Sequence, residues 1–476
     1  MKKTLALAHV LPLALALAAP VGLAASEKKP LPKDLPPFGA DKPLPVPEIA
    51  QSKLPNGLSV WLVRRGGFPR AAVVLAVRGG GTASDPKNAE GITELLADTV
   101  KEGTATRTSR AIAEELQGVG AEIGANGAPD AIYVTASGLG TGVPKIVEVL
   151  ADVARNASFP QAEVELAKGN ALQGLAARES TPEFQAQKAL ARAIYGDHPY
   201  HIVAPSAETI QAATPAQLKQ EHARRFHPER SLLVVVGEFD AAAVTAAVTK
   251  SFGPWKGSAE NVPDTPASPA APAARRLLIA PRAGSVQSQI VVGRIAATVT
   301  DPDYYPLLVA NTIYSDAFGS RLVENIREDK GYTYSPDGSI ATRTKGGLVT
   351  ATADVRTEVT GATLTEIFYE QDRLGSTLPT DEELQRAKRY QGGLYLLRNQ
   401  IQGAVANTLA SNWVKGLPPE ALGDFVSKVN AVTADQVRAA GRSYFPSSRL
   451  TVVVVGEEAK VKEELAPFGE ATVLKP

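Results

Sequence analysis

The chain has 476 residues, more than one hydrophobic core usually organises, so we expect two or three folded parts. Its 50 lysines and arginines balance its 50 aspartates and glutamates, and this neutral composition argues against nucleic acid or an anionic membrane as partner. There is no cysteine, which excludes disulfides and thiolate metal ligands and leaves five histidines and the carboxylates as strong metal donors.

The first 25 residues have the pattern of a secretory signal peptide. Two lysines precede an apolar run from Leu5 to about Ala19, and small residues follow as far as Ala25. An uncleaved membrane anchor is the alternative, but Pro12 and Pro20 interrupt the apolar segment and favour cleavage. We therefore predict a periplasmic or secreted protein that has no membrane span after the signal peptide is removed.

Two proline-rich stretches divide the remaining chain. Residues 26–45 are rich in proline and lysine and predict an extended leader, whereas residues 256–275 carry prolines among alanine and serine and predict a linker. The predicted domains are therefore an N-terminal domain over residues 46–255 and a C-terminal domain over residues 276–476.

The N-terminal half mixes strand and helix patterns. Gly57 to Arg65 and Ala71 to Arg78 alternate in the manner of paired strands. The three glycines at 79–81 lack the Lys-Ser or Lys-Thr pair of a phosphate-binding loop, so they predict a turn at a strand end. Further along, the pattern indicates helices and one hairpin. The helices fall at 89–102, 109–118, 143–155, 162–178 and 183–194, and the hairpin at 121–137.

The helix that begins near Gly91 has an apolar stripe and a second, more polar side. The stripe consists of Ile92, Leu95, Leu96, Thr99 and Val100. Glu94, Ala97 and Asp98 lie on the other side. Two carboxylates one turn apart are able to attract a hard cation, but a solvated acidic face is the ordinary interpretation.

Four histidines remain after the predicted signal cleavage. His198 and His201 flank a Pro-Tyr pair in a predicted loop, and His222 and His227 bracket the end of a predicted helix. Local hydrogen bonds are the ordinary role of such residues. A metal held by the first pair is the alternative, because loops are able to present metal ligands.

The two halves of the chain resemble each other. Thr214–Glu238 and Thr433–Glu457 share a capped helix, a turn and a buried valine-rich strand. A weaker match joins Arg78–Pro86 to Arg294–Pro302, each of which passes through Asp-Pro into an apolar helix. The repetition predicts a duplicated α+β fold, in which each half is a mainly antiparallel sheet covered by helices.

The C-terminal half contains a second stretch of interest at residues 318–335. It predicts a helix that ends at a glycine, followed by a strand that carries Tyr334. Arg327 lies on the helix, seven positions before this tyrosine. The ordinary interpretation is that Arg327 pairs with Glu324 or Glu328 on the helix surface and that Tyr334 packs in the sheet.

The stretch Gly91–Thr104 resembles the zinc-binding helix of the pitrilysin, insulin-degrading enzyme and mitochondrial processing peptidase family of metallopeptidases. The family pattern there is H-x-x-E-H, with both histidines on zinc and the glutamate as base. The resemblance places the histidine positions on Glu94 and Asp98, the glutamate position on Ala97 and a third ligand position on Gly174. It therefore implies a degenerate site that neither binds zinc nor cleaves peptides on its own.

Residues 318–335 resemble the family's C-terminal motif, in which an arginine and a tyrosine hold the substrate backbone near the scissile bond. The match falls on Arg327 and Tyr334, which keep both residue type and spacing. A guanidinium and a phenol are able to donate hydrogen bonds to a peptide carbonyl and to the oxyanion that forms on attack. The family's two half-domains enclose a cavity, and the resemblance implies the same here.

In the two-chain branch of this family, one subunit carries the zinc helix and the other carries the arginine and tyrosine. The resemblance thus implies a non-catalytic subunit of a heterodimeric zinc peptidase. Such a subunit would bind a peptide or unfolded polypeptide beside a zinc-bearing homologous partner, and would hold no cofactor itself. The alternative is a binding or scaffold protein with the same fold and no proteolytic role. Hydrolysis by this chain alone is a third possibility, for which the sequence supplies no nucleophile or base.

Overall fold

Two six-stranded sheets organise the buried core. The computed structural model describes residues 46–257 and 264–475, so the predicted signal peptide (1–25) and leader (26–45) lie outside the described residues. Within these ranges, no helix is long and apolar enough to cross a membrane. Residues 264–275, which cover most of the predicted linker, form no helix or strand.

The first sheet has the strand order β1-β2-β6-β3-β5-β4. Neighbouring strands are antiparallel except β2 and β6. The prediction that the strands near residues 57–65 and 71–78 pair with each other is wrong, because β6, an apolar strand from far along the chain, lies between them. The strands are β1 (Ile49–Lys53), β2 (Ser59–Arg64), β3 (Arg70–Arg78), β4 (Glu122–Gly127), β5 (Ala131–Leu139) and β6 (Ser231–Gly237).

Four of the five helices predicted between residues 89 and 194 lie within about a residue of their predicted limits, and β4 and β5 form the predicted hairpin. The predicted helix over 89–102 is shorter in the structure, because Gly91 has a φ of 86° and starts the helix from a left-handed conformation. The helices are α1 (Ile92–Thr99), α2 (Ser109–Gln117), α3 (Val143–Asn156), α4 (Gln161–Glu179), α5 (Pro182–Tyr195), α6 (Ala207–Ala212), α7 (Pro215–Arg225) and α8 (Ala241–Phe252).

The second sheet has the order β12-β7-β11-β8-β10-β9. Its strands are β7 (Arg276–Pro281), β8 (Gln287–Ala296), β9 (Asp337–Ala341), β10 (Gly347–Arg356), β11 (Thr451–Gly456) and β12 (Thr472–Val473). The helices are α9 (Tyr304–Asn311), α10 (Thr360–Ser376), α11 (Asp381–Arg398), α12 (Gln402–Val414), α13 (Ala421–Asn430), α14 (Ala434–Tyr444) and α15 (Glu458–Leu465). Two wider π-helical turns span Thr312–Asp316 and Val323–Asp329.

The predicted duplication is confirmed by the sheet topology. Strands β2-β6-β3-β5-β4 correspond one by one to β7-β11-β8-β10-β9, with the same parallel and antiparallel pairings. Thr214 and Thr433 each cap the helix that precedes the repeated strand, accepting a hydrogen bond from the backbone N–H three residues later. The outer strands differ, since β1 is antiparallel to β2 whereas β12 is parallel to β7.

Each sheet is covered on one face by a helix from the other half. Helix α5 packs on β8 and β11 of the second sheet, and α12 packs on β3 and β6 of the first. Every residue of β6 and β11 is buried as a result. This double coverage explains why both strands are continuous apolar runs instead of alternating ones.

A central cavity of about 720 Å³ lies between the two halves, as predicted. From the first half it is lined by α1, the β4–β5 hairpin, α4 and α5. From the second half it is lined by residues of β8, β9 and β10 and of the segment between β9 and β10. The fold thus places α1, the helix predicted to carry a degenerate zinc motif, on the wall of an internal space.

Candidate functional site

The start of α1 is fixed by a buried ionic network. The backbone N–H of Gly91 donates to Asp85 Oδ2 at 2.7 Å. Arg225 Nη2 lies 2.9 Å from Asp85 Oδ1 and 2.7 Å from Glu221 Oε2, and the side chains of Asp85 and Arg225 are fully buried. A Cβ at Gly91 would lie 2.3 Å from Pro205 Cα. The position and direction of α1 are therefore set by contacts that leave little freedom.

Glu94, at the first predicted histidine position, is held by an arginine. Arg178 Nη2 lies 3.0 Å from Glu94 Oε1, and both side chains line the cavity. Arg178 is on α4, one turn after Gly174, and its guanidinium also lies 5.6 Å from the ring centroid of Phe184. Arg178 thus places a positive charge beside Glu94.

The other three motif positions offer few donors. Ala97 is buried and lines the cavity together with Glu94 and Asp98, so the three residues share one side of α1, as predicted. Asp98 is accessible from the cavity; partial burial and then the neighbouring Glu94 raise the pKa of Asp98. Gly174 is exposed on α4, and a Cβ built there would have no neighbour within 4 Å.

This set of residues does not fit a zinc site. A tetrahedral zinc centre uses imidazole, thiolate or carboxylate donors that converge on one point, and a catalytic centre also needs a base for the bound water. Here Glu94 is taken up by Arg178, Ala97 provides no base, and Gly174 provides no donor. In residues 46–257 and 264–475, no group of three or more His, Asp or Glu side chains has the geometry to hold a metal ion.

The four histidines of the described chain are all engaged in hydrogen bonds, some within their own loop and some to distant segments. His198 Nδ1 accepts from the N–H of Tyr200, and His201 Nε2 lies 3.0 Å from Glu90 Oε2. His222 Nε2 lies 3.1 Å from the carbonyl oxygen of Ala154, and burial lowers the pKa of His222 to about 4. His227 Nε2 similarly lies 2.9 Å from a backbone carbonyl oxygen. Local hydrogen bonds thus account for the contacts of His198 Nδ1 and His227 Nε2, whereas His201 Nε2 and His222 Nε2 contact segments that are distant in sequence.

Arg327 lies in the π-helical turn Val323–Asp329 and is held on three sides. Its Nε lies 3.1 Å from Glu328 Oε1, one of the two partners predicted. The guanidinium carbon also lies 4.6 Å from the ring centroid of Phe318 and 4.7 Å from that of Tyr334. Two cation–π contacts and one ion pair therefore orient the guanidinium. Phe318 is a contributor that the sequence did not indicate.

Tyr334 does not pack in a sheet. The predicted strand after Gly331 is absent at this point: β9 begins only at Asp337, because Pro336 has no N–H to donate to a ladder. The Tyr334 side chain is 81% exposed. Gly331 has a φ of 62°, which agrees with the predicted end of the helix at this glycine.

The structure does not bring the two motif regions to one wall. Glu94, Ala97 and Asp98 line the central cavity, whereas Arg327 and Tyr334 are not among its lining residues. The second half instead contributes other polar side chains to the cavity, which are Asp337, Ser339, Arg343, Thr350 and Thr352. None of these five residues was predicted from the sequence.

Arg343 joins the two halves at the edge of the cavity. Its Nη1 donates to the carbonyl of Tyr200 at 2.9 Å, and its guanidinium lies 4.8 Å from the ring centroids of both Tyr195 and Tyr200. The Tyr200 hydroxyl donates to Asp130 Oδ1 at 2.6 Å, and the N–H of Thr344 donates to Asp130 Oδ2 at 2.8 Å. Burial and the adjacent Asp130 raise the pKa of Tyr200.

Sequence profiles of known families match the chain over two adjoining stretches. The profile described as "Insulinase (Peptidase family M16)" matches residues 63–205, which include α1. The profile described as "Peptidase M16 inactive domain" matches residues 212–390, which include Arg327 and Tyr334. This chain belongs to the M16 peptidase family.

Several bacterial relatives of this M16 chain carry the name "uncharacterized zinc protease". The relative from Mycobacterium leprae is 28% identical over 290 residues, which are 60% of this chain and 64% of the relative, so the match spans less than two thirds of that protein. The relative from Streptomyces coelicolor is 24% identical over 79% of this chain and 83% of its own length.

Solved structures show the same fold. A crystal structure described as a peptidase M16 inactive domain from Pseudomonas fluorescens aligns with a TM-score of 0.77 at 23% identity, covering 90% of this chain and 100% of that one. A protease from Helicobacter pylori aligns with a TM-score of 0.80 at 17% identity, covering 86% of this chain and 100% of that one. At these identities the likeness concerns the arrangement of helices and strands.

Proposed function

We propose that this M16 chain is a non-catalytic subunit of a heteromeric zinc peptidase, located in the periplasm or secreted. It binds peptide substrates in its cavity and supplies Arg327 and Tyr334 in trans to a homologous partner that carries the zinc. Zinc belongs to the partner, and this chain needs no cofactor of its own. The signal peptide predicted at residues 1–25 supports this location.

The observation that carries the proposal is the arrangement at α1. The positions that would hold zinc and its base are occupied by Glu94, Ala97, Asp98 and Gly174, and Arg178 forms an ion pair with Glu94. An arginine beside the position of a metal ligand disfavours a metal ion there, because two cations would share one carboxylate. Peptide hydrolysis therefore needs a metal and a base from another chain.

The exposure of the second motif supports a role in trans. Tyr334 is largely exposed and Arg327 is partly accessible, and neither lines the cavity beside Glu94. A pair that acted on a substrate at this chain's own α1 would be expected to face that helix. An outward-facing phenol and guanidinium are instead available to a substrate held by a second subunit.

The second candidate is a scaffold protein that keeps the M16 fold without a proteolytic role. The contacts of Arg327 favour it, since the guanidinium is already engaged by Glu328, Phe318 and Tyr334. Such contacts stabilise a surface without any substrate. The two candidates differ in one measurable property, which is whether Arg327 affects cleavage by a partner.

The test is reconstitution with an exported H-x-x-E-H homologue encoded in the same genome. The two chains are co-purified from the native envelope, and cleavage of a fluorogenic peptide is measured for each chain and for the complex. We expect activity only in the complex. Arg327→Ala and Tyr334→Phe should each lower kcat/KM by about a hundredfold to a thousandfold, the range for loss of one donor to a developing oxyanion.

Arg438→Ala is a matched control, because Arg438 is also a partly exposed arginine of the second half in a helix-surface ion pair, with Asp435. It should leave kcat/KM unchanged. A complex that forms but whose activity is indifferent to Arg327→Ala would exclude the role in trans. A stable complex without peptidase activity in any combination would establish the scaffold. Chelator-sensitive cleavage by the purified chain alone would refute both.

A further inference from the structure

A second cleft opens in the C-terminal half, beside the central cavity. Its volume is about 450 Å³, and its walls come from α9, α11, α12, α13 and the edge strand β9. This volume suits a small molecule or the end of a peptide. Ser339 of β9 lines both the cleft and the central cavity, so the two spaces adjoin at this strand.

Aromatic rings form part of the cleft wall. Tyr395 stacks on Phe425 with ring centroids 4.0 Å apart and planes 11° apart, and Tyr305 meets Phe425 edge-on at 5.8 Å. The Tyr395 hydroxyl donates to the carbonyl of Leu422 at 2.8 Å, which fixes the ring. The three rings present an ordered apolar surface that suits an aromatic or branched aliphatic group.

Two cations line the same cleft. Arg398 is the last residue of α11, and Lys415 directly follows α12. Lys415 Nζ donates to Thr342 Oγ1 at 2.7 Å, and burial lowers the pKa of Lys415. Over the part of the chain that the structure describes, no carboxylate lies within 4.0 Å of either cation. Asp130 attracts Lys415 and Asp316 attracts Arg398 from a longer distance, but neither cation is in direct contact with a carboxylate, which leaves both able to hold an anionic ligand.

Asp316 is the acid among the residues that line the cleft. Its Oδ2 accepts hydrogen bonds from Gln391 Nε2 at 2.7 Å and from Thr312 Oγ1 at 3.4 Å. Burial and the nearby Asp337 raise the pKa of Asp316. The carboxylate is therefore held by neutral donors, and the cleft keeps more positive than negative side chains.

We propose that this cleft binds a carboxylate attached to an apolar group, with the carboxylate held by Arg398 and Lys415 and the apolar group placed on Tyr305, Tyr395 and Phe425. Two sources supply this chemistry, which are the carboxyl end of a peptide with an apolar last residue and a free carboxylic acid. The shared boundary at Ser339 favours the peptide, because a chain that lies in the central cavity reaches the cleft past this residue.

The proposal is tested by calorimetry on the purified mature chain, without a partner. Three probes are titrated: a short peptide ending in phenylalanine with a free carboxylate, the same peptide with a terminal amide, and 3-phenylpropanoate. We expect the free peptide to bind roughly tenfold more tightly than the amide, the range for one charge-assisted interaction. Binding of 3-phenylpropanoate but not of the peptide would assign the cleft to free acids and keep the proposal. Equal affinity for acid and amide, or no binding, would overturn it.

Variants locate the site. Arg398→Gln and Lys415→Gln should each weaken binding of the peptide with a free carboxylate about tenfold and leave the affinity for the peptide amide unchanged. Arg110→Gln is the matched control, because Arg110 is an exposed arginine of α2 paired with Glu114 and does not line the cleft. If Arg398→Gln and Lys415→Gln bind like the unmodified chain, the cleft is not the site.

Both cations also lie at helix carboxyl ends, where they offset the helix dipole, so thermal melting of each variant is followed by circular dichroism. If Arg398→Gln does not fold, Arg398→Lys is used instead, because it keeps the positive charge but lacks the planar guanidinium that binds a carboxylate through two hydrogen bonds. We expect Arg398→Lys to bind the peptide with a free carboxylate several-fold more weakly than the unmodified chain. Unchanged binding by a folded Arg398→Lys and by Lys415→Gln would overturn the assignment. The titrations use this chain without a partner and involve no cleavage, so their outcome does not depend on the proposed role of Arg327 in trans.

Discussion

Glu383 forms a two-point ion pair with an arginine near the second motif. Arg321, six residues before Arg327, donates from Nε to Glu383 Oε1 at 2.6 Å and from Nη2 to Oε2 at 2.9 Å. The backbone N–H of Thr380 donates to the same carboxylate at 2.8 Å. Burial alone would raise the pKa of Glu383, but the hydrogen bonds from Arg321 and Thr380 outweigh it and lower the pKa from 4.5 to about 2.

This shift sets the stability that Glu383 contributes. A carboxyl group whose pKa is lower in the folded state stabilises that state above its unfolded pKa, and the contribution is lost as pH falls toward the folded pKa. From the two pKa values of Glu383, the ionised carboxylate contributes about 3 kcal/mol at pH 7 and about 1.4 kcal/mol at pH 3. Glu383→Gln should therefore lower the free energy of unfolding by about 3 kcal/mol at pH 7.

The measurement is urea unfolding followed by circular dichroism, at several pH values between 7 and 3. The difference between the unmodified chain and Glu383→Gln should shrink steadily below pH 4.5. Glu114→Gln serves as control, because Glu114 also pairs with an arginine, at 2.7 Å, but on the exposed surface of α2. Glu114→Gln should lower the free energy of unfolding by less than about 0.5 kcal/mol at any pH. A Glu383→Gln difference below about 1 kcal/mol at pH 7, or one independent of pH, would refute the argument.

Further predictions concern the first half. Gly91→Ala should lower the free energy of unfolding, measured with urea, by about 2–4 kcal/mol, because Gly91 has a positive φ and an added Cβ would clash with the backbone of Pro205. Gly174→Ala should raise the free energy of unfolding by about 0.5–1 kcal/mol in the same assay, because Gly174 lies at an open position within a helix. Arg178→Gln should lower the free energy of unfolding by less than about 1 kcal/mol, because the ion pair between Arg178 and Glu94 is partly exposed. A loss of several kcal/mol in urea unfolding would contradict this. His222 is held neutral with a pKa of about 4, so stability should fall as pH drops from 6.5 toward 4, and His222→Phe should flatten the melting temperature over that window.

Local signals in the sequence located the helices well. Helices α3, α4 and α5 begin and end within a residue or so of their predicted limits. The signals that predict them, which are apolar periodicity and a proline near the start of α3 and of α5, depend only on residues close together in sequence. The pairing of strands was harder to predict. Whether β2 pairs with β3 or with β6 is decided by burial across the whole sheet. The alternation of residues within one strand does not indicate which strands pair with it.

The candidate site was predictable as a set of positions, while its contacts were not. Glu94 and Asp98 are placed on one wall by helical spacing alone. Arg178 was missed, although it lies four residues after Gly174 and so on the same face of α4. Its partner depends on how α4 packs against α1, which is a tertiary contact. Arg343 belongs to an irregular segment whose sequence gives no periodic signal.

The exchange of α5 and α12 between the halves bears on how this protein is able to evolve and be engineered. A chain cut between residues 257 and 264 would yield two fragments, each exposing the valine-rich face of its sheet that the other fragment's helix normally covers. We expect each fragment to aggregate when produced alone and the two to reassemble when produced together. The duplicated units are thus mutually dependent, so that neither can be deleted, transplanted or replaced as a free-standing module.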